Sequence, residues 1–198
     1  TEKMKRLFVF LSAIVLSLLS TKIKAQDTFV HKQSSIYEWP TDKLVLDKLD
    51  HWRDLKFGVI FHWGLYAVPG IVESWALCSE DNDWISRYGH ENYQEFKDWY
   101  WNGLSKKFNP TKFDPQQWAD VMKQAGMKYV VFTTKHHDGF CMFDSKYTDF
   151  SIAKGPFKTN PKADVAKYVF DAFRKDGFMI GAYFSKPDWH SQDYWWDY

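Results

Sequence analysis

Three groups of polar residues each follow a short apolar run, and their side chains could bind a hydroxyl-rich ligand. They are His62, then Lys135-His136-His137-Asp138, and finally Ser185 with Asp188-Trp189-His190. Imidazole, hydroxyl and carboxylate groups exchange hydrogen bonds with a polar ligand. An indole ring adds an apolar surface on which such a ligand can stack. This combination of groups favours a site for a sugar or a similar small molecule.

Glu73-Ser74-Trp75 is a further candidate, located after the first apolar run. A carboxylate accepts strong hydrogen bonds from hydroxyls, and an indole two residues away offers a platform. The same residues could instead lie on the surface without a ligand. The sequence has no Gly-X-Ser-X-Gly elbow and no P-loop, so acyl and phosphoryl transfer lack support.

The adjacent histidines His136 and His137 could also suggest a metal site. Neighbouring side chains of a strand point to opposite faces, so the two could hold one ion only if the chain turned there. Neither His-X-His nor His-Glu-X-X-His spacing occurs. We therefore expect no metal and no other cofactor.

Alternating helices and strands would position these residues. Two segments have apolar residues at helical spacing: Trp118, Val121, Met122 and Ala125, and then Val165, Tyr168, Val169, Ala172 and Phe173. Asp114-Pro115 and Asn160-Pro161 should begin these helices, and Gly126 and Gly177 should end them. Apolar runs of strand length lie at 57–61, 129–134 and 178–184.

This alternation predicts an α/β fold with a parallel sheet. A closed (β/α)8 barrel usually needs about 250 residues. We predict a TIM-like (β/α)8 barrel truncated to roughly its first three to four βα units, in which the polar groups meet at the carboxyl ends of the strands. A doubly wound open sheet is the alternative, but His62-Trp63-Gly64 replaces the glycine-rich phosphate loop that such sheets carry after the first strand.

The N-terminal segment predicts export. Met4-Lys5-Arg6 precedes the apolar run 7–19, and polar residues and Ala25 follow, a pattern typical of a secretory signal peptide. The run is shorter than the roughly 20 apolar residues of a membrane span. We interpret 1–25 as a signal peptide with upstream residues and 26–198 as the N-terminal part of the catalytic barrel domain. We expect a periplasmic or extracellular protein without membrane association after cleavage.

Composition limits the partners further. The 26 Lys and Arg residues balance 25 Asp and Glu residues, so the chain has no basic surplus with which to bind nucleic acid. The many Trp and Tyr residues, 11 of each, suit stacking on an amphipathic ligand. Cys78 and Cys141 allow either one disulfide or two free thiols.

Several motifs occur in a fixed order along the chain. They are FGVIFHWGLYAVP at 57–69, TKHHDGF at 134–140, YTDF at 147–150, YFS at 183–185 and Asp188-Trp189. Together they resemble the family 29 glycoside hydrolases, the retaining α-L-fucosidases, from about Trp39 to the end of the chain. The Lys-His-His-Asp-Gly-Phe string is the most specific of them.

The resemblance implies a fucose pocket and assigns roles within it. His62, His136 and His137 would donate hydrogen bonds to the sugar hydroxyls, and Tyr183 would lie near the anomeric centre. The family's Glu-Trp element resembles Glu73 with Trp75, although Ser74 separates them. Asp83-Trp84 is a competing placement.

The resemblance also implies a double displacement on fucosylated oligosaccharides or glycoconjugates, by a nucleophile and a separate acid/base. The family pattern places both after Tyr198, so we expect no catalytic carboxylate in the chain and no hydrolysis by it alone. One alternative is an inverting hydrolase that uses Glu73 and Asp188. Another is a non-catalytic sugar-binding barrel.

Overall fold

The computed structural model describes residues 38–78, 87–90 and 92–193. The predicted signal peptide and the competing Asp83-Trp84 element lie outside these residues. The chain divides into two compact units, 1–41 and 42–198, and every element described below belongs to the second. Within the described ranges, no helix combines the length and the apolar character needed to cross a bilayer.

Three parallel strands form the sheet that carries the polar groups. They are β1 (Gly58–Phe61), β2 (Tyr129–Lys135) and β3 (Met179–Phe184), in the spatial order β1-β2-β3. Both neighbouring pairs are parallel, and each strand begins or ends within one residue of its predicted run. The structure thus confirms the α/β class, with a three-stranded parallel sheet.

Helices occupy the connections before and between the strands. They are α1 (Lys43–Leu55), α2 (Tyr93–Asp98), which continues into a π-helical segment (Trp99–Leu104), α3 (Pro115–Gln124) and α4 (Val165–Lys175). The start of α3 is as predicted, because the Asp114 side chain accepts from the backbone N–H groups of Gln116 and Gln117. Gly126 follows the helix with φ of +82°, a conformation that glycine adopts without strain.

The predicted start of α4 at Asn160-Pro161 is wrong. The helix begins at Val165, where Asp164 is the N-cap and accepts from the N–H of Lys167. Asn160 instead accepts from the N–H of Lys162 at 2.8 Å and forms a local turn. Asn and Asp can each cap a helix or close a turn, so an Asn-Pro pair alone did not distinguish the two.

One face of the sheet packs against α3 and α4. Phe61 contacts Trp118 of α3 and Phe173 of α4, with ring centroids 5.4 and 5.9 Å apart. The predicted apolar stripe of α4 is confirmed, since its members are buried apart from the partly buried Tyr168. On α3, however, Val121 and Ala125 are exposed, because the buried stripe runs instead through Pro115 and Ala119.

Both cysteines are free thiols buried in the fold, Cys78 and Cys141. The structure therefore favours the second of the two states that the sequence allowed. Burial raises the pKa of Cys141 to about 11, which makes its thiolate, the reactive form, scarce at neutral pH.

Replacing Phe173 by alanine should lower the free energy of unfolding by about 3–5 kcal/mol, because the fully buried ring would leave a cavity between the sheet and α4. Urea denaturation measures this loss. Val121→Ala, on the exposed side of α3, is the control and should change the free energy of unfolding by less than about 0.5 kcal/mol. Equal effects of the two substitutions would contradict this packing.

Candidate functional site

The polar residues at the carboxyl ends of the three strands meet in one cluster. It contains all six residues proposed from the sequence: His62, Glu73, Trp75, His136, His137 and Tyr183. The rings of His62 and Tyr183 lie 5.2 Å apart, and those of His136 and His137 lie 4.4 Å apart. Parallel strands end at one edge of a sheet, which brings residues more than 100 positions apart in sequence into contact.

A register change near the end of β2 and the turn after it allow both neighbouring histidines to reach this cluster. Thr133 pairs with Tyr183, but Lys135 pairs with Phe184, so β2 contains one extra residue. The chain then turns, and the N–H of Gly139 donates to the carbonyl of His136 at 3.1 Å. Because the chain turns here, His136 and His137 can both reach one site, which two adjacent side chains of a regular strand could not do.

Glu73 connects the loop after β1 to the histidines. Its Oε2 accepts from Trp75 Nε1 at 2.9 Å and lies 3.1 Å from His136 Nε2. Its Oε1 lies 3.7 Å from His62 Nδ1. The backbone of Glu73 has φ of +48°, a conformation that costs energy for a residue with a side chain. Ser74 between Glu73 and Trp75 therefore does not prevent the two side chains from acting together.

A hydroxyl group contacts Nδ1 of each of the three imidazoles. Thr133 Oγ1 lies 2.9 Å from His62 Nδ1, Ser74 Oγ contacts His136 Nδ1, and Ser185 Oγ contacts His137 Nδ1. Ser74, Thr133 and Ser185 are all buried. Ser74 and Ser185 belong to candidate groups identified from the sequence, but none of these three hydroxyls was paired there with a histidine. Thr133 and Ser185 are hydroxyl residues at or just after strand ends, which is a weak signal, but Ser74 lies in the loop after β1 and no local pattern marks its partner.

The contacts of His136 determine which ring nitrogen carries its proton. Burial lowers the pKa of His136 to about 3, and the neighbouring His137 and His62 add to this effect, so the ring is neutral at pH 7. The carboxylate of Glu73 only accepts hydrogen bonds, so His136 Nε2 must carry the hydrogen. Nδ1 is then an acceptor, and the Ser74 hydroxyl donates to it. Glu73 Oε2 thus has two donors, which leaves Oε1 available to a ligand.

Asp138, the last residue of the second polar group, stabilises the turn and does not join the cluster. Tyr100 donates to its Oδ2 at 2.7 Å, and the N–H of Phe140 donates to its Oδ1 at 3.1 Å. Burial raises the pKa of Asp138 to about 6, against the opposing effect of these two hydrogen bonds. Tyr100 lies in the π-helical segment after α2, so this bond joins that segment to the turn.

Both carboxylate oxygens of Asp188 also have partners within the protein. Its Oδ2 lies 3.3 Å from Lys135 Nζ, and its Oδ1 accepts from the N–H groups of His190 and Ser191. Glu73 likewise has two donors on one oxygen. These contacts give no support to the alternative in which Glu73 and Asp188 serve as an acid and base pair.

Three residues of the cluster have ligand atoms that a metal ion could bind. Atoms of His62, Glu73 and His136 lie within 4.8 Å of one another. The hydrogen bonds between Glu73, His136, Trp75 and Ser74 account for this arrangement without an ion. The chemistry that the cluster offers is polar recognition by imidazoles, one carboxylate and indole rings.

Comparison with known proteins gives a consistent result. The family model described as Alpha-L-fucosidase matches residues 24–198. Tissue alpha-L-fucosidase of Homo sapiens is 34% identical over 159 residues, which cover 77% of this chain and 32% of that protein. The Bos taurus protein of the same name is 33% identical over 156 residues, with 77% and 32% covered. The chain spans about one third of the length of these curated relatives.

Solved structures agree with these matches. Alpha-L-fucosidase isoenzyme 1 from Paenibacillus thiaminolyticus is 38% identical with a TM-score of 0.57, over 75% of this chain and 31% of that chain. An alpha-L-fucosidase from Bacteroides thetaiotaomicron is 35% identical with a TM-score of 0.59, over 82% and 34%. A Bacteroides thetaiotaomicron alpha-L-fucosidase was also solved as a trapped covalent intermediate with 2-fluoro-fucosyl fluoride; it is 35% identical with a TM-score of 0.58, over 80% and 33%.

The His136 ring should remain neutral as the pH falls from 7 to 4, because burial lowers its pKa to about 3. The lowered pKa means that the unfolded chain takes up a proton near pH 6.5 while the folded chain does not. The contribution of His136 to stability is therefore complete above pH 6.5 and declines as the pH falls toward 3. Nitrogen-15 NMR of the labelled imidazole follows the titration directly. A midpoint near 6.5 would contradict the lowered pKa, and a neutral ring with its hydrogen on Nδ1 would contradict the assigned tautomer.

Proposed function

Because the chain belongs to the alpha-L-fucosidase family, we propose that it supplies the fucose-binding part of a retaining exo-α-L-fucosidase. The substrate is terminal α-L-fucose on glycans or glycoconjugates. The observation that carries the proposal is the approach of two imidazoles, those of His62 and His136, to Glu73, beside the rings of His137, Trp75 and Tyr183.

The cluster offers complementary groups for a small polyhydroxylated ring. Glu73 Oε1 accepts from a sugar hydroxyl, while His62 and His137, fixed through Nδ1, present Nε2. A hydrogen bond to a charged group contributes roughly 1.5–3 kcal/mol, and a neutral one about 0.5–1.5 kcal/mol. Two or three such bonds account for selective binding of one sugar.

Aromatic rings form an apolar wall beside these polar groups. His137 lies between the indoles of Trp75 and Trp189, with ring centroids 4.8 and 4.9 Å away. Fucose carries both hydroxyls and a methyl group, so its recognition needs polar and apolar contacts side by side. The Tyr183 ring stacks on the His136 ring, with centroids 5.7 Å apart. Tyr183 lies near the end of β3, and we propose that the anomeric centre of the sugar lies beside it.

Hydrolysis requires two further carboxyl groups about 5–5.5 Å apart, one as nucleophile and one as acid/base. Glu73, Asp138 and Asp188 already have donors that hold them. Because the chain spans about one third of the length of its curated relatives, we propose that both catalytic carboxyls belong to the part of the family that it does not span. The covalent intermediate of the Bacteroides thetaiotaomicron relative supports a double displacement in which the first carboxyl forms a fucosyl-enzyme.

We propose that β1, β2 and β3 are the first strands of a (β/α)8 barrel. Ile60 and Phe184 are 50% and 56% exposed, although large apolar side chains of a sheet are normally covered. Ile60 lies on the same face as His62, two residues away, and Phe184 ends the edge strand β3. Further βα units would cover both. The N-terminal pattern adds the proposal that the protein is exported.

The full-length gene product should hydrolyse an aryl α-L-fucoside and release the α-anomer first, which NMR of the product detects. The activity should persist in EDTA, because the proposed mechanism uses no metal. Initial release of the β-anomer would refute the retaining mechanism. Binding of fucose without turnover would favour a non-catalytic sugar-binding barrel instead.

Removing either His62 or His136 should weaken fucose affinity by about 1–3 kcal/mol. His62 would lose a hydrogen bond to the sugar, whereas His136, whose ring nitrogens contact Glu73 and Ser74, would lose the contact that holds Glu73 in place. Glu73→Gln should weaken fucose affinity as well, because an amide cannot accept from His136, Trp75 and the sugar as a carboxylate does. Inhibition constants for fucose measure all three effects. His51→Ala, on the exposed surface of α1, is the matched control. Unchanged affinity in His62→Ala and His136→Ala would refute the site.

A further inference from the structure

We propose that Lys135 and Asp188 are positioning residues that hold the segment 185–191 on the turn after β2 and thereby fix His137 and Trp189 in the sugar site. This inference rests on the proposed function and adds two residues to it. Neither side chain belongs to the group that contacts the sugar in that proposal. Their effect is transmitted through the backbone of the two segments they join.

The ammonium group of Lys135 is buried and has three partners. Its side chain is 5% exposed. Its Nζ donates to the Pro187 carbonyl at 3.1 Å, lies 3.3 Å from Asp188 Oδ2, and sits 4.8 Å from the centre of the Phe184 ring. A buried ammonium is costly without such compensation. The partners all belong to β3 or to the segment that follows it, so the charge of Lys135 draws this segment to the end of β2.

Asp188 completes the connection on the other side. Its Oδ1 accepts from the N–H groups of His190 at 3.2 Å and Ser191 at 3.1 Å, which shapes the segment into a turn. The carboxylate lies directly over Gly139, since a β-carbon there would come within 2.4 Å of Asp188 Oδ1. Gly139 also has φ of +78°. The turn after β2 is thus shaped to admit the Asp188 carboxylate.

Segment 185–191 holds His137 at both its backbone and its ring. The N–H of Trp189 donates to the His137 carbonyl at 2.7 Å, and the hydroxyl of Ser185 contacts Nδ1 of the His137 ring. The N–H of Ser185 in turn donates to the Lys135 carbonyl at 3.0 Å. Movement of segment 185–191 would therefore displace the His137 ring and the indole of Trp189 that packs on it.

Removing the charge of Asp188 should free segment 185–191 from the turn after β2. In Asp188→Asn the buried ammonium of Lys135 keeps its charge but loses its counterion, so it will seek solvent and move segment 185–191 with it. The primary effect is on the orientation of His137. The melting temperature should fall as well, but a fall in melting temperature alone would not distinguish positioning from general stabilisation.

The test compares Asp188→Asn with Asp176→Asn in the full-length gene product. Asp176 accepts from Lys123 at 3.1 Å and from Gln116 at 2.6 Å, with a side chain only 14% exposed. It lies at the end of α4, outside the sugar site, so this variant removes an ion pair of similar length whose lysine is more exposed. We expect Asp188→Asn to raise the dissociation constant of fucose about tenfold and Asp176→Asn to change it less than about twofold.

A second readout does not depend on the sugar. Nitrogen-15 NMR of the unliganded protein should show a shifted His137 ring signal in Asp188→Asn and an unchanged one in Asp176→Asn. Lys135→Met combined with Asp188→Leu removes both charges, so this variant leaves no unpaired buried charge and should fold even if Asp188→Asn does not. It should show the same shift and the same loss of affinity.

The outcomes separate the two proposals. Unchanged fucose affinity and an unchanged His137 signal in both the single and the double variant, with only the melting temperature lowered, would overturn the positioning role. If the unmodified protein neither binds nor hydrolyses fucosides, the proposed function fails. In that case a shifted His137 signal would still support the structural connection between Asp188 and His137.

Discussion

Oε2 of Glu73 accepts hydrogen bonds from both His136 and Trp75, and the geometry of the site depends on this shared acceptor. Because a carboxylate offers no hydrogen, His136 must present Nε2–H, and Ser74 must donate to the other ring nitrogen. The loop after β1 is thereby joined to the end of β2 through hydrogen bonds between side chains. The unusual backbone conformation of Glu73 is consistent with this demand, since it aims the carboxylate at the strand ends.

A second constraint is that several imidazoles and a lysine lie close together in a buried region. Burial lowers the pKa of His136 and of His137, and the charge of Lys135 lowers both further. Keeping the rings neutral avoids repulsion between them and the ammonium group. The ammonium itself is compensated by Asp188 and the Pro187 carbonyl. His136 and His137 can therefore lie close to Lys135 without adding positive charge at neutral pH.

Local sequence patterns predicted the helices and strands better than they predicted the contacts between these elements. The stripe of α4 and the cap at Asp114 depend on neighbours within one or two turns, and the sequence shows these directly. The predictions of a helix start at Asn160 and of an apolar-stripe position at Val121 were wrong, because the spacing of each residue is compatible with two local structures. The roles of Ser74 and Thr133 depend on partners 62 and 71 residues away. No local pattern contains that information, although strand order did place the six candidate residues together.

The close approach of Asp188 to Gly139 has an evolutionary consequence. A side chain at position 139 would collide with a carboxylate 49 residues later in the sequence, so these two positions cannot vary independently. A lineage that replaced Gly139 would first need a shorter side chain at position 188. That change would leave the ammonium group of Lys135 without its counterion. The three positions should therefore be inherited as a set. An attempt to graft the histidine turn onto another scaffold would have to carry the later segment with it.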